Sequence, residues 1–333
     1  MRNPPYEIVL KPYGKALVDL ALRREDVICL GADLTRQTET DLFRDQIPDR
    51  FINVGMAEAN MIGIAGGLAR AGHTVFVNSF GVFCTRRCYD QIAMSIAYPN
   101  LNVKIVGFMP GVSSPGGPSH QAIDDIALMR ALPNFTVVDL TDAREIAQAV
   151  DAVADHPGPV YLRLKRGEIP VIFDDDHHFS LHEAKVLVAG TEVCIVASGM
   201  MLPAALVAAQ ELKHHGVSAA VVSAPVIKPL DRRTILDAAK GARLVITAEN
   251  HSIVGGLGSA VAEALAEAGV GVPMRRIGLR DVFAESGSRE FLFDKYGLGV
   301  RDIVRAAWKE VGEGRPEPQV KEIQTAPGAY APV

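Results

Sequence analysis

The residues most able to do chemistry are a carboxylate on an apolar helix face and a histidine in a small-residue loop. Counting from Glu58, the residues Met61, Ile62, Ala65, Leu68 and Ala69 follow at helical spacing, so Glu58 lies on the apolar stripe itself. A carboxylate aimed into such a seam is either satisfied by a partner or kept partly protonated for use. An acidic first turn also suits the helix dipole, so Glu58 alone decides nothing. Gly63, Gly66 and Gly67 sit in the same helix, each costing about 1 kcal/mol against alanine. That cost predicts close packing, against another chain or a flat ligand. His120 lies in Gly116-Gly-Pro-Ser-His120 rather than on an apolar helix face, a setting that suits a ligand-directed imidazole. The four cysteines, Cys29, Cys84, Cys88 and Cys194, lack zinc spacing, and none is read as a nucleophile. Asp174-Asp-Asp-His-His178 is read as a solvated charged turn in preference to a metal site, and no metal is assigned to this chain.

These residues need a scaffold, and the pattern supplies one. Short Val/Ile-rich runs at Val27–Leu30, Thr74–Val77, Val103–Val106, Thr136–Asp139 and Val160–Leu164 alternate with helical patterns at Tyr13–Arg24, Ala57–Ala71, Thr85–Ala97, Ala122–Ala131 and Ala143–Ala154. Alternation of this kind predicts an α/β fold, a parallel sheet covered on both faces. A second alternation has strands at Val193–Ala197, Ala219–Val222, Leu244–Thr247 and Met274–Ile277. Its helices are Leu202–His214, Arg232–Ala239 and Gly258–Ala268. The expectation is two doubly wound domains, 1–170 and 190–313, joined by a surface linker over 171–189 and followed by a Pro-rich tail over 314–333 that forms a strap or stays disordered. Gly255-Gly-Leu-Gly258 could cradle a phosphate, but without a second basic partner it is read as close helix packing. The length of 333 residues suits two cores, and the formal charge of −5 offers no basic field for nucleic acid or a membrane surface. No apolar run approaches the length of a transmembrane span, no signal-peptide core is read at the start, and a reduced cytoplasmic setting is expected.

Four ordered segments resemble the transketolase family. Phe51-x-Asn53-x-Gly55-Met-Ala-Glu58-Ala-Asn60-Met61 looks like the segment that presents a glutamate to thiamine diphosphate. Asn78-Ser-Phe80-Gly-Val-Phe83, with Arg87-Cys-Tyr89-Asp90-Gln91-Ile92 after it, resembles the aromatic loop and helix that cover the aminopyrimidine ring. Gly117-Pro118-Ser119-His120-Gln121 resembles the Gly-Pro-Thr-His-Gln loop over the reacting carbon, and Gly31-Ala-Asp33-Leu-Thr35 matches a fourth element near the cofactor. The likeness continues through the second half. It implies a pyrimidine-binding thiamine-diphosphate fold followed by a transketolase C-terminal-like domain, the latter mainly structural.

Several roles follow from that resemblance. Glu58 would hydrogen-bond N1′ of the aminopyrimidine, which requires it to carry or share a proton. Phe83, with Phe80 beside it, would stack on the ring, although both also suit ordinary core. Asp33 would order the cofactor pocket. His120 would contact the substrate hydroxyl or carbonyl and relay a proton, with Gln121 supporting it, and Arg166 keeps the place of a phosphate-binding arginine. The sequence contains no Gly-Asp-Gly, the family's loop for holding the diphosphate through Mg2+ (or Ca2+). The resemblance therefore implies the small β subunit of a split transketolase. A separate α subunit would hold the metal and the diphosphate, in an α2β2 assembly. Gly116 stands where sugar-using transketolases carry Asp, and Leu10, Gln37 and Phe108 stand where Arg, Ser and His help to hold phosphate. An unusual ketose or aldehyde is expected, with Arg86 and Arg87 read either as replacement charge or as plain surface. The competing readings are the β subunit of a 2-oxo-acid dehydrogenase and a non-catalytic assembly subunit.

Overall fold

The computed structural model of the chain describes residues 1–2, 6–314 and 318. Apart from Gly314 and Pro318, the expected tail lies outside the described residues. The first half is built on a seven-stranded sheet in the order Val226–Lys228, Thr136–Asp139, Val160–Leu164, Val103–Phe108, Thr74–Phe80, Val27–Gly31 and Phe51–Asn53. All neighbours are parallel except the first, where a strand from the second half adds antiparallel. The central strands carry an unbroken run of buried residues, which is why they read as continuous Val/Ile stretches rather than as alternating ones. The second half is a five-stranded sheet, Met274–Leu279, Leu244–Ser252, Val193–Ala197, Ala219–Ser223 and Lys185–Val188, whose last strand is antiparallel.

The stretch expected as a surface linker is more structured than that. The Asp142 carboxylate caps helix Ala143–Asp155 by accepting from Glu145 N at 2.8 Å, and its other oxygen accepts from Ile172 N and Phe173 N at 2.8 and 2.9 Å. Val171, Ile172 and Phe173 are therefore buried, and Lys185–Val188 pairs as an edge strand. The Asp/His run is a charged turn: Asp175 pairs with Arg2 and Arg144, and His177 stacks on Phe173 with ring centroids 3.8 Å apart.

One further element differs from expectation. The helix expected over 85–97 is a chain of short pieces, Gly81–Thr85, Arg86–Cys88, Tyr89–Ile92 and Ala93–Ala97, of which the last is π-helical. Irregular helices of this kind re-aim side chains one by one. The Gly-rich turn at 255–258 is filled from inside, because Glu249 accepts from Leu257 N and Gly258 N at 2.7 and 2.9 Å, as close packing requires.

A polar staple joins the halves. Arg163, 1% exposed, donates to Asp125 at 2.8 and 3.2 Å, to Ala122 O at 3.0 Å and to Asn250 O at 2.8 Å, and lies 3.6 Å from Asp139. Burial opposes its charge, but Asp125 and Asp139 outweigh that and hold the guanidinium above its ordinary range. The carboxyls split accordingly. Asp125 has the shorter contacts and ends below its ordinary value despite burial, whereas burial leaves Asp139 above it.

Candidate active site

Open parallel sheets bind ligands beyond the carboxyl ends of their strands, at the point where connections run off in opposite directions. From strand Val27–Gly31 the chain goes outward to Phe51–Asn53 and then back across to Thr74–Phe80. The candidate residues leave successive strand ends there: Asp33 after Gly31, Glu58 after Asn53, Phe83 after Phe80 and His120 beyond Phe108. The Asn53 side chain shapes the approach to Glu58 by accepting from Asp33 N at 3.1 Å and Gly55 N at 3.0 Å. Gly55 adopts a φ of 70°, a value that favours glycine, and helix Glu58–Arg70 starts three residues later.

Glu58 is 3% exposed and is met by two side chains, Ser79 Oγ at 3.5 Å and Arg87 Nη1 at 3.3 Å. The Arg87 guanidinium also lies 4.3 Å over the Phe83 ring centroid. Phe83 stacks on Phe80 at 5.9 Å and meets the His120 ring edge-on at 5.2 Å, while Ser119 Oγ lies 2.9 Å from His120 Nδ1. Glu58, Phe80, Phe83 and His120 thus form one contiguous group, with Phe83 touching Phe80 and His120 and Arg87 bridging Phe83 to Glu58. The arrangement offers a flat ring an aromatic face, a buried carboxylate at one edge and an imidazole at another, which fits the aminopyrimidine end of thiamine diphosphate. Among the described residues no group of three or more His, Cys, Asp or Glu could hold a metal.

The remaining candidates stand differently. Gln121 is 1% exposed, and its amide donates to Ser114 O at 3.2 Å and Glu285 O at 3.1 Å, so it anchors the histidine loop from behind. Asp33 is exposed, with a φ of 66°; its backbone N–H is the part tied into the site. Arg166 lines a separate cavity of about 490 Å³ with Met109, Ser113 and Lys165. Arg86 and Arg87 supply no charge to that cavity. Arg86 is held by Asp124 at 2.8 and 2.9 Å, and Arg87 is taken by Glu58. Of the helix glycines, Gly66 has the expected close neighbour, since a Cβ there would come within 2.8 Å of Ser95 O, whereas Gly63 and Gly67 face open space. The cysteines are all buried and free, and burial, with Glu58 adding, pushes the Cys88 thiol up to about 12. The sequence reading of Arg87 as replacement charge or plain surface did not foresee its contacts with Glu58 and Phe83, although its spacing of four from Phe83 was the available signal.

Residues 9–171 match the pyrimidine binding domain of transketolase, and residues 182–303 match the transketolase C-terminal domain. The chain belongs to the transketolase family. A putative transketolase family protein of Sinorhizobium fredii is 46% identical over 88% of this chain and 86% of its own length. A 6-deoxy-6-sulfo-D-fructose transketolase subunit of a Clostridium species is 41% identical over 92% of this chain and 97% of its own. A solved split gene transketolase, an inactive beta4 tetramer, superposes with a TM-score of 0.84 at 43% identity, covering 91% of this chain and 97% of its own. Two of these three relatives of near-equal length are thus a transketolase subunit and a split gene transketolase. Among the described residues of this transketolase-family chain, no helix is long and apolar enough to cross a membrane.

Proposed function

We propose that this chain is the β subunit of a split, thiamine-diphosphate-dependent transketolase that moves a two-carbon ketol unit from a ketose to an aldose. The observation that carries the reading is the buried Glu58 carboxylate beside the Phe83 face and His120, in a chain whose sequence has no Gly-Asp-Gly. Glu58, Phe83 and Phe80 would hold the aminopyrimidine, with Asp33 at its border, and Mg2+ (or Ca2+) with the diphosphate would be held by an α subunit in an α2β2 assembly. When bound, the coenzyme supplies a nucleophilic carbon for attack on the ketose carbonyl. Glu58 would hold a proton at the ring nitrogen facing it, and His120, partly open to solvent, would hydrogen-bond the substrate hydroxyl or carbonyl and move its proton. Gln121 and Arg86 keep the histidine loop in place, and Arg166 would face the far end of the sugar. The likeness to the Clostridium 6-deoxy-6-sulfo-D-fructose transketolase subunit supports a substrate outside the common pentose-phosphate pair.

The test is reconstitution with the α subunit, thiamine diphosphate and Mg2+, following ketose-dependent transfer to an aldehyde acceptor. The complex should turn over while either subunit alone does not, and Glu58→Gln in the β chain should abolish turnover with assembly retained. Unchanged turnover in that variant would end the catalytic assignment. Transfer by this chain alone would end the two-subunit reading.

A further inference from the structure

A cavity of about 350 Å³ opens at the end of the first sheet opposite the candidate active site, where the side chains of Asn100, Thr136, His156, His182 and Lys228 meet. We propose that it binds a phosphate-type oxyanion, free or as the phosphoryl end of a small metabolite, at a site separate from the one that handles substrate. The inference goes beyond the transketolase reading and does not depend on it.

Position is the first argument. Strands Val103–Phe108, Thr136–Asp139 and Val160–Leu164 run parallel, and Asn100, Thr136 and His156 stand at or just before their first residues. Lys228 joins them because Val226–Lys228 runs antiparallel to Thr136–Asp139 and ends opposite Val137. Glu58, Phe83 and His120 follow the other ends of strands in the same sheet. His182 comes from the segment between the two halves, so an anion held here would tie that segment to the first sheet.

Charge is the second argument. No carboxylate lines the cavity. Behind it Lys104, fully buried, donates to His156 O and Gly158 O, both at 2.7 Å, which puts a cation under the loop that carries His156. Lys228 donates to Arg130 O at 2.9 Å and to Leu132 O, and its ammonium has a third proton to give. Among the described residues no ion pair neutralises Lys104, Lys228, His156 or His182. Burial, then the cations Lys104 and His182, hold His156 below its ordinary range. Burial and Arg24 bring Lys104 down to about 7, and burial and Arg130 lower Lys228. Arg24 and Arg130 have carboxylates of their own, Asp26 with Asp155 and Glu263. The basic groups at the cavity thus repel one another, and a bound dianion would favour the charged form of each.

Shape is the third. Thr136 Oγ1 lies 3.3 Å from His156 Nε2, so a hydroxyl and an imidazole sit side by side on the polar wall. Phe135 and Leu181, both buried, form an apolar side against which the carbon body of a phosphate ester would pack. The volume falls at the lower end of the range for small-molecule sites.

Isothermal titration of the full chain at pH 7 and constant ionic strength tests this, with inorganic phosphate and glycerol 3-phosphate as probes. His182→Glu and Asn100→Asp each place a negative charge on an exposed residue of the cavity, and each is checked for an unchanged circular dichroism spectrum. Saturable binding is expected in wild type, weakened about tenfold or more in at least one variant. Tighter binding of glycerol 3-phosphate would identify a metabolite site, and equal or tighter binding of inorganic phosphate a site for the free ion; both support the proposal. Absence of saturable binding of either probe, or equal affinity in wild type and both variants, overturns it. Both substitutions lie at the opposite end of the sheet from Glu58 and His120, so anion binding in the active site would not respond to them.

Discussion

Arg163→Met isolates the staple that holds the histidine loop against the second half. The substitution keeps an unbranched side chain but removes four hydrogen bonds, two of them to Asp125, and leaves two fully buried carboxyls facing each other's charge. Breaking a buried pair by deleting one partner costs about 3–5 kcal/mol, because the remaining charge stays in a place that cannot solvate it. Asp125 keeps the Tyr161 hydroxyl at 2.7 Å and Asp139 keeps the Ser198 hydroxyl at 2.8 Å, so the lower half of that range is expected. A loss of about 3 kcal/mol corresponds to a fall in melting temperature of roughly 4 °C for a chain of 333 residues. Urea unfolding at pH 7 is the assay. Adding Asp125→Asn to Arg163→Met should recover at least about 1 kcal/mol, since it removes the charge left stranded. A single-variant loss under about 1 kcal/mol, or a double variant as unstable as the sum of the singles, would refute the account of Arg163 as a desolvated hub.

Further outcomes follow from other groups. Glu39 is 2% exposed, and burial lifts its carboxyl to about 7 from 4.5. The folded chain thus keeps this proton where the unfolded chain releases it. Its contribution to stability is full below pH 4.5 and is lost as pH rises to 7, by roughly 3 kcal/mol. Glu39→Gln, which can still accept from Gly14 N, should flatten that slope relative to wild type in urea midpoints at pH 5, 6, 7 and 8; parallel curves would refute it. Arg87→Ala should cost only about 1–2 kcal/mol in the same assay, since the arginine side chain is half exposed and its pairing is screened. His120→Ala should lower kcat of the reconstituted complex by about 10²–10⁴ with little change in assembly, and a smaller effect would remove it from proton transfer. Gly116→Asp would place a Cβ 3.0 Å from the His120 ring, so kcat/KM should fall roughly tenfold at an unchanged melting temperature, and equal kinetics would show that the loop yields freely.

The sequence was most legible where local pattern and final burial coincide. Thr136–Asp139, Val160–Leu164, Val193–Ala197, Leu202–His214 and Arg232–Ala239 have the expected bounds, because each is a single apolar run or one amphipathic face. Strands that continue through polar residues were cut short. Thr74–Phe80 extends past Val77 because Asn78 is buried, accepting from Tyr13 Oη at 2.5 Å and donating to Leu30 O at 3.0 Å. Short edge strands such as Phe51–Asn53 and Lys185–Val188 exist through pairing with distant partners and leave almost no local signal. The same division holds in the site. Glu58, Phe83 and His120 were visible as motif residues, whereas the cations around Arg166 are gathered from three separate parts of the chain and no spacing connects them.

Two arginines show how the fold separates support from function. Arg163 is 1% exposed, hydrogen-bonded to the Asp125 carboxylate and two carbonyls, with the Asp139 carboxylate 3.6 Å away. Arg87 is half exposed and is held by one 3.3 Å contact to Glu58 and the face of Phe83. A screened pair and an exposed cation–π contact together contribute about 1–2 kcal/mol. Burying a flat heterocycle on Phe83, with a hydrogen bond to a carboxylate already out of water, is favourable by more than that. Glu58 is therefore buried enough to be useful and paired weakly enough to be available. A site meant only to stabilise this helix would have used an arrangement like that of Arg163.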